Sequence, residues 1–442
     1  MVIQLSDHFD YKRLISFTLP SVIMMVFISI YGVVDGFFVS NFVGKTPFAA
    51  VNFIMPFLMI LGSIGFMFGT GGGALIAKTL GEGEALRAQK IFSLFVYVTI
   101  ISSTLIAILG IIFIRPVGAL LGAEGKMLDD CVIYGRIILT SLPFLMLQFE
   151  FQSFFVVAEK PKLGLYSTII SGVANMVLDA LFMAVFGWGL VGAASATAIS
   201  QLIGGVIPLI YFSRENTSLL RLGKAQMDTR ALIKATVNGS SELMSNISMS
   251  LVSMLYNVQL INYAGEDGIA AYGVLMYVNL TFLAIFIGYS TGIAPVFGYH
   301  FGAQNHLELR SLLRKSFFII IISSLAMLAF SLLLARPLSS LFVGYDKSLF
   351  DLTVRGFKIY SFSFLFAGIA IFGSSFFTAL SDGLTSALIS FLRALVFQVA
   401  AVILLPILLG IDGIWVSIVV AEVMAVNVTL LFLVFKRKKF NY

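Results

Sequence analysis

Apolar residues fill this chain in long runs, and the polar residues gather in short stretches between them. A helix needs about 20 apolar residues to cross a bilayer. The pattern predicts spans at roughly 14–42, 48–77, 91–114, 131–157, 164–186, 190–212, 235–263, 268–299, 316–335, 356–380, 384–409 and 413–435. These twelve spans leave too little chain for a soluble domain. The sequence therefore predicts an all-α integral membrane protein.

The same pattern occurs twice. Identical residues recur at one offset of 221, half of the 442 residues, at Gly44 and Gly265, Arg115-Pro116 and Arg336-Pro337, Gly135 and Gly356, and Gly192 and Gly413. A constant offset indicates gene duplication, by which many transporters build two lobes around a central pathway. Six spans per half is an even number, so both halves enter from one side. We expect two six-helix lobes, related by a pseudo-two-fold axis along the membrane normal.

The most polar interior stretch divides these halves. It predicts an amino-terminal lobe of residues 1–212, a cytoplasmic linker at 213–234 and a carboxy-terminal lobe of residues 235–442. The polar start of the chain, residues 1–13, is short, and the first apolar run is too long for the core of a signal peptide. We expect that run to remain as the first span.

Composition agrees with a membrane location. Hydrophobic residues make up 59% of the chain and charged residues 11%, against about 25% charged in a soluble protein. Lys and Arg gather in the loops on the side of both termini, which predicts cytoplasmic termini in a bacterial plasma membrane. The net charge of +6 then reflects topology and not a nucleic-acid partner. The single Cys131 excludes an intrachain disulfide.

Three acidic residues fall inside the predicted spans of the first half: Asp35, Glu150 and Asp179. A charge at the bilayer centre costs at least about 2.5–3.5 kcal/mol, and no Lys or Arg lies at comparable depth in that half. Each acid must be protonated, hydrogen-bonded, bound to a cation or open to water. The repeat places Tyr256 opposite Asp35, so the second half does not copy this feature. Such acids are typical of a proton or sodium site.

Depth along the helices brings four polar residues together. Asp179 lies nine residues before the tryptophan of the tight turn between the fifth and sixth spans, and Thr197 nine after it. Both are then about 13 Å from that turn. Asp35 lies nine residues before Gly44, and Asn175 shares a helix face with Asp179. We predict a cation-coupling site for H⁺ or Na⁺ here; the alternative is scattered packing polars satisfied by the backbone.

Several segments resemble one family of transporters. Residues 31–39 (YGVVDGFFV) look like the first helix of the multidrug and toxic compound extrusion (MATE) family, and 175–179 (NMVLD) with 189–197 (GLVGAASAT) look like its fifth and sixth helices. Residues 76–81 (IAKTLG) and 295–304 (PVFGYHFGAQ) resemble its paired signatures. The resemblance covers nearly the whole chain and is strongest to the bacterial MepA-like and DinF-like branches.

The resemblance implies a V-shaped, two-lobed antiporter, the MATE/MOP fold, that exports cationic or amphipathic compounds against H⁺ or Na⁺. It also implies that Asp35, Asn175, Asp179 and Thr197 form the cation site, with a first helix that bends at Pro20. Some branches place an acid deeper in the seventh helix. Here the acid is Glu242, near the cytoplasmic start of that helix.

The remaining polar residues support weaker assignments. Arg393 and Glu422 are expected to form a structural ion pair between helices. Surface solvation is expected for His300 and His306, because two histidines without a further ligand make a poor metal site. Candidates for the substrate pathway are Glu150, Gln148, Met55, Tyr256, Asn257, Met276 and Glu242.

The sequence as a whole favours secondary active efflux by alternating access, with small organic cations or amphipathic drugs as substrates. We expect a monomer that needs no cofactor and binds no nucleic acid. A lipid or lipid-linked glycan flippase of the same superfamily is the alternative, although it would need a more cationic cavity than Arg393 alone provides. No nucleophile–base or metal constellation suggests an enzyme, and an acidic cluster confined to one lobe disfavours a channel.

Overall fold

The computed structural model describes residues 3–442, apart from the side chain of Lys45, and contains no β-strand in that range. Each apolar run forms a helix because it must satisfy its own backbone hydrogen bonds inside a membrane. The first half comprises α1 (Tyr11–Phe42), α2 (Lys45–Gly81), α3 (Ala85–Leu121), α4 (Gly125–Val157), α5 (Pro161–Val185) and α6 (Gly189–Ser213).

The second half begins with a helical stretch of 74 residues, Thr229–Gly302, which breaks at Gly265. Gly265 has φ 60° and ψ −147°, a backbone conformation that glycine adopts readily and other residues rarely adopt. The break separates α7 (229–264) from α8 (266–302). The last four spans are α9 (His306–Val343), α10 (Lys347–Ser361 and Phe364–Ala379, bent by 47°), α11 (Gly383–Leu409) and α12 (Ile411–Phe440). The predicted all-helical fold of twelve spans is confirmed for the described residues.

The fifth helix of each half contains a wider, π-helical turn. In α5 it covers Ala180–Val185, directly after Asp179, and in α11 it covers Leu392–Phe397, which includes Arg393. Such turns insert an extra residue and rotate the helix beyond them, and they are common at functional sites. The apolar pattern of these spans gives no sign of them. Each turn nevertheless falls beside a charged residue inside its helix.

Glycines let α2 and α4 approach closely within the first lobe. Gly65, Gly69 and Gly73 lie on one face of α2, and a Cβ at Gly65 would collide with the Met146 carbonyl oxygen. A Cβ at Gly69 would lie 3.0 Å from the Cα of Glu150. Small residues at four-residue spacing let membrane helices pack closely, and these contacts show such packing between α2 and α4.

A different set of glycines joins the two lobes. A Cβ at Gly81 would collide with the Tyr299 carbonyl oxygen, and a Cβ at Gly302 would collide with the Lys78 carbonyl oxygen. Gly81 and Gly302 are separated by the 221-residue offset, and so are Lys78 and Tyr299. The two contacts are therefore copies of each other about the pseudo-two-fold axis.

A second pair of copies lies deeper in the bundle. On α2, Gly71 packs against the backbone of Gly239 in α7, and on α8, Gly292 packs against Thr18 in α1. We call the face of the bundle that carries both chain termini the inner face, and the opposite one the outer face. All four glycine contacts lie in the half of the bundle next to the inner face. The lobes thus close on that side by backbone-to-backbone packing.

The amino-terminal segment, residues 3–10, reinforces this closure. Leu5 N donates to Glu159 Oε1 in the α4–α5 connection, at 2.6 Å. Glu308, at the start of α9 in the other lobe, accepts a hydrogen bond from Phe9 N at 3.0 Å and lies 2.6 Å from His8 Nδ1. Leu5 and Phe9 are fully buried. The segment therefore ties both lobes together at the inner face.

Substituting the glycines at the lobe contact tests the closure. Gly81→Ala and Gly302→Ala should each widen the distance between spin labels on Leu86 and Leu307, which are exposed at the inner ends of α3 and α9. Alanine favours helix by about 1 kcal/mol over glycine, so any separation must come from the collision. Gly273→Ala is the control, since nothing lies within 4 Å of its Cβ position. Unchanged distances in both variants would contradict the proposed contact.

The hydrogen bond from Leu5 can be tested through its acceptor. Burial raises the pKa of the Glu159 carboxyl, and the Leu5 N–H partly opposes this. A raised folded-state pKa gives stability that is present below the unfolded pKa and lost as pH rises. Glu159→Gln keeps an acceptor but cannot ionise. As the pH rises from 4 to 7, the melting temperature of this variant should therefore increase relative to that of the wild type. Glu159→Ala should lose about 1–3 kcal/mol from the unpaired N–H. A pH-independent difference between Gln and Glu would contradict this.

Candidate functional site

Two acidic side chains meet inside the first lobe. Asp35 on α1 and Asp179 on α5 lie within hydrogen-bonding reach of each other. Asp179 is fully buried. Gly172, two turns along α5 from Asp179, brings the helices together because a Cβ there would lie 2.5 Å from the Phe27 ring and 3.1 Å from the Tyr31 ring of α1. We call Asp35 and Asp179 the acid pair.

Asn175 and Thr197 complete the predicted set. Asn175 is buried one turn along α5 from Asp179, and its amide nitrogen has no hydrogen-bond partner. Thr197 lies on α6, where its side chain faces the hydroxyl of Tyr134. The structure therefore brings side chains from three helices together around the acid pair. Their function as a cation site stays a prediction.

Tyr134 on α4 is a member of the site that the sequence reasoning missed. It is buried, its hydroxyl interacts with the Thr197 side chain, and both carboxylates of the acid pair lie near it. The hydroxyl also lies 3.7 Å from Met55 Sδ. A signal was present: Tyr134 comes nine residues after Gly125, where α4 begins at the outer face. The count that placed the acid pair places Tyr134 at the same depth.

The site has more acceptors than donors. Asp35 Oδ1 and both carboxylate oxygens of Asp179 are buried without a hydrogen-bond donor. Among the described side chains, no lysine or arginine forms an ion pair with either acid. Two ionised carboxylates cannot remain buried side by side without compensation. A shared proton would neutralise one of them, and a sodium ion would find carboxylate, amide and hydroxyl oxygens.

Glu150 and Gln148, two pathway candidates, lie within the first lobe. Glu150 is fully buried, and Thr99 on α3 is the polar side chain that faces it. Gln148 Nε2 is 3.5 Å from Ser171 Oγ on α5, and Gly204 on α6 leaves room for its amide. Neither side chain is exposed to a central pathway in this conformation.

The second lobe holds its polar groups differently. Arg393 and Glu422 form a two-pronged ion pair, with Nε 2.8 Å from Oε2 and a terminal guanidinium nitrogen 2.8 Å from Oε1. Tyr256, the counterpart of Asp35, donates to Gln398 Oε1 at 3.1 Å and stacks on Tyr272. Arg393 and Glu422 therefore neutralise each other, in contrast to the acid pair.

The other candidates are spread over the second lobe and α1. Asn257 is exposed, Met276 packs against the apolar core of the second lobe, and Glu242 is half-buried near the start of α7. Pro20 lies inside α1, close to its contact with α8. The structure does not bring these residues into one cluster.

The expectation of a solvated His300 is wrong. Its side chain is buried, because Asp7 and His8 of the amino-terminal segment and Glu308 of α9 lie against it. Within residues 3–442, no group of three His, Cys, Asp or Glu side chains is arranged to hold a metal ion.

Two six-helix lobes around a pseudo-two-fold axis, with an unneutralised acid pair inside one lobe, define a multi-pass membrane protein of the transporter class. The model of the MatE family matches residues 20–181 and again residues 243–404, so the chain belongs to the MatE family. The double match confirms the internal repeat.

Known proteins agree with this membership. The chain is 25% identical over 413 residues to the multidrug export protein MepA of Staphylococcus haemolyticus. The aligned residues cover 93% of this chain and 90% of the relative. A crystal structure of MATE in complex with MaL6 superposes with a TM-score of 0.93 at 21% identity, covering 98% of each chain. The outward-facing conformation of a multidrug resistance MATE family transporter gives 0.92 at 21% identity, covering 98% of this chain and 97% of that one.

A double-mutant cycle tests the role of Tyr134. Tyr134→Phe should lower the free energy of unfolding by about 1–3 kcal/mol, because the buried hydroxyl's contacts with Thr197 and Met55 are lost. Combined with Asp179→Asn, the loss should depart from additivity by at least about 0.5 kcal/mol. Tyr97→Phe is the matched control, since its hydroxyl contacts only the exposed Gly223 carbonyl at 3.2 Å. Additive effects for Tyr134 and Asp179 would show that the hydroxyl does not act on the acid pair.

Proposed function

We propose that this protein is a secondary active multidrug efflux transporter that exports cationic or amphipathic organic compounds in exchange for H⁺ or Na⁺. The observation that carries the proposal is the acid pair inside the first lobe, where Asp179 is fully buried, Asp35 is half-buried and no fixed positive charge accompanies them. A mobile cation is the remaining means of neutralising it. Membership of the MatE family and the similarity to the multidrug export protein MepA support drug-like substrates.

The path of α1 supports a mechanical link between the acid pair and the lobe contact. Near the inner face, Thr18 and Ser21 pack against Gly292 of α8 in the second lobe. Further along, Phe27 and Tyr31 pack against α5 of the first lobe, next to the acid pair. Pro20 lies where α1 changes partner, and it removes one helix hydrogen bond there. We propose that Pro20 is a hinge in α1.

Coupling follows from differential affinity. A cation that binds the acid pair more tightly in one conformation shifts the protein toward that conformation, and a substrate that prefers the other shifts it back. Protonation would remove the repulsion between Asp35 and Asp179. A sodium ion would instead draw the carboxylates together, with Asn175 and Thr197 as further ligands. Either event changes the packing between α1 and α5.

The proposal includes a bacterial plasma membrane and cytoplasmic termini, so that the inner face is the cytoplasmic one. The excess of Lys and Arg in the loops at this face supports that orientation. The lobes are taken as residues 1–212 and 235–442, with the linker at 213–234, and the transporter as a monomer. The flippase alternative is not favoured. A flippase would need a cationic cavity, and Arg393, the deep positive charge of this chain, is neutralised by Glu422.

Transport by purified protein in liposomes tests the function. Wild-type protein should move a fluorescent organic cation when a proton or sodium gradient is imposed, and Asp35→Asn or Asp179→Asn should reduce gradient-driven transport at least about tenfold, the effect of losing about 1.4 kcal/mol of coupling. Asp267→Asn, which changes an exposed carboxylate at the start of α8, is the control and should transport normally.

Two outcomes would contradict the proposal. Full gradient-driven transport in both single variants of the acid pair would remove it from the mechanism. Passive flux of the organic cation without any gradient requirement would indicate a channel. Comparison of the two gradients also identifies the coupling ion.

A further inference from the structure

A cavity of ≈ 370 Å³ opens at the inner face, between the lobes. Three lysines line it: Lys78 from α2 of the first lobe, Lys234 from α7 and Lys439 from α12. None of its described lining residues is acidic. Three positive charges from three helices converge on one space that a small anion can enter.

Aromatic rings hold two of these ammonium groups at the cavity wall. Lys78 Nζ lies 5.2 Å from the centre of the Phe301 ring, and Lys439 Nζ lies 4.8 Å from the centre of the Phe440 ring. Both rings belong to the cavity lining. Cation–π contacts of this kind are worth about 0.5–1 kcal/mol at exposed sites. They position the two charges without neutralising them.

Nearby acids cancel little of the positive charge. Glu82 Oε1 is 3.8 Å from Lys78 Nζ, a partly exposed i,i+4 pair of small worth. Asp382, just before α11, is already engaged by Lys436 Nζ at 3.1 Å. The cavity therefore keeps a positive potential.

The backbone adds to that potential. The membrane-spanning helix α11 begins at Gly383 in the cavity wall, so the positive end of its dipole faces the cavity. No side chain caps its first turn. Unpaired N–H groups at a helix start favour anions. In the same wall, Asn238 is buried, donates to the Thr378 carbonyl oxygen at 2.7 Å and keeps Oδ1 without a partner. That oxygen is an acceptor for a hydroxyl beside an anionic group.

The rest of the lining is apolar. It includes Leu75, Ile233, Val237 and Leu380, and Ile233 is 60% exposed. A free phosphate ion would contact the lysines and leave this wall unused. A phospholipid would place its phosphate among the lysines and its first acyl carbons against the apolar residues.

We infer that this cavity binds the phosphate group of an anionic phospholipid from the leaflet at the inner face. Basic pockets between membrane helices are suited to such headgroups. The lipid bridges Lys78 of the first lobe and Lys439 of the second. Its binding therefore favours the conformation in which the lobes are closed at this face. The size of the shift equals the difference in lipid-binding free energy between the two conformations.

Lipid binding to the purified full chain tests the inference. Native mass spectrometry of protein titrated with phosphatidylglycerol should show tighter binding than with phosphatidylcholine. A variant carrying Lys78→Gln, Lys234→Gln and Lys439→Gln should bind phosphatidylglycerol about a hundredfold more weakly, from about 1 kcal/mol per lysine. The single exposed change Lys234→Gln should weaken binding about fivefold by the same reasoning.

A variant with Lys12→Gln, Lys162→Gln and Lys224→Gln is the matched control. It removes the same charge from exposed positions outside the cavity and should bind within about threefold of the wild type if attraction is local. Equal weakening in both triple variants would overturn the inference in favour of general surface charge. Inorganic phosphate that binds as tightly as phosphatidylglycerol would overturn the assignment to a lipid. Should the triple variant misfold, an unchanged affinity in Lys234→Gln would overturn it as well.

Discussion

The compensation of two carboxylates held together inside a bundle of membrane-spanning helices is the constraint on which the rest of this structure depends. Asp35 and Asp179 lie against each other with buried oxygens that lack donors, and none of the described lysines and arginines forms an ion pair with either acid. Removing such groups from water costs several kcal/mol per ion unless a partner compensates. A protein that needed only stability would have placed an arginine beside them, as the second lobe does with Arg393 beside Glu422. In the proposed mechanism, the first lobe leaves that place to a cation that binds and dissociates.

The contacts between the lobes follow the pseudo-two-fold symmetry of the fold, whereas the acid pair has no symmetric counterpart in the second lobe. The contacts of Gly81 with Tyr299 and of Gly302 with Lys78 are copies of each other, since an interface between duplicated halves needs the same close approach twice. Tyr256, by contrast, replaces Asp35 and is satisfied by an amide. The interface is thus symmetric, whereas the proposed cation site belongs to the first lobe alone.

The sequence predicted the fold well because hydrophobic length and the 221-residue offset are long-range signals. It also placed the acid pair, since helical rise converts a residue count into depth. Tyr134 obeys the same count, but a tyrosine costs little in a membrane, so the cost of burying charge does not single it out. The π-helical turn after Asp179 and the burial of His300 under the amino-terminal segment could not be predicted, because both depend on contacts between distant parts of the chain. The lysine-lined cavity likewise combines residues from three helices.

The course of α1 relates the acid pair to the closure of the inner face. One stretch of this helix is held by glycines of α8, and the next is held by α5 beside Asp179, with Pro20 near the change. A helix shared between two lobes cannot follow both when they move apart, so it must bend or release one of them. In the proposed mechanism, the free energy that a cation would contribute at Asp35 is then available where Thr18 meets Gly292. Anionic lipid at the inner face would oppose that release, because it holds the two lobes at a second point. The occupancy of the acid pair and the lipid composition would thus act on a single equilibrium, from opposite ends of the same helix bundle.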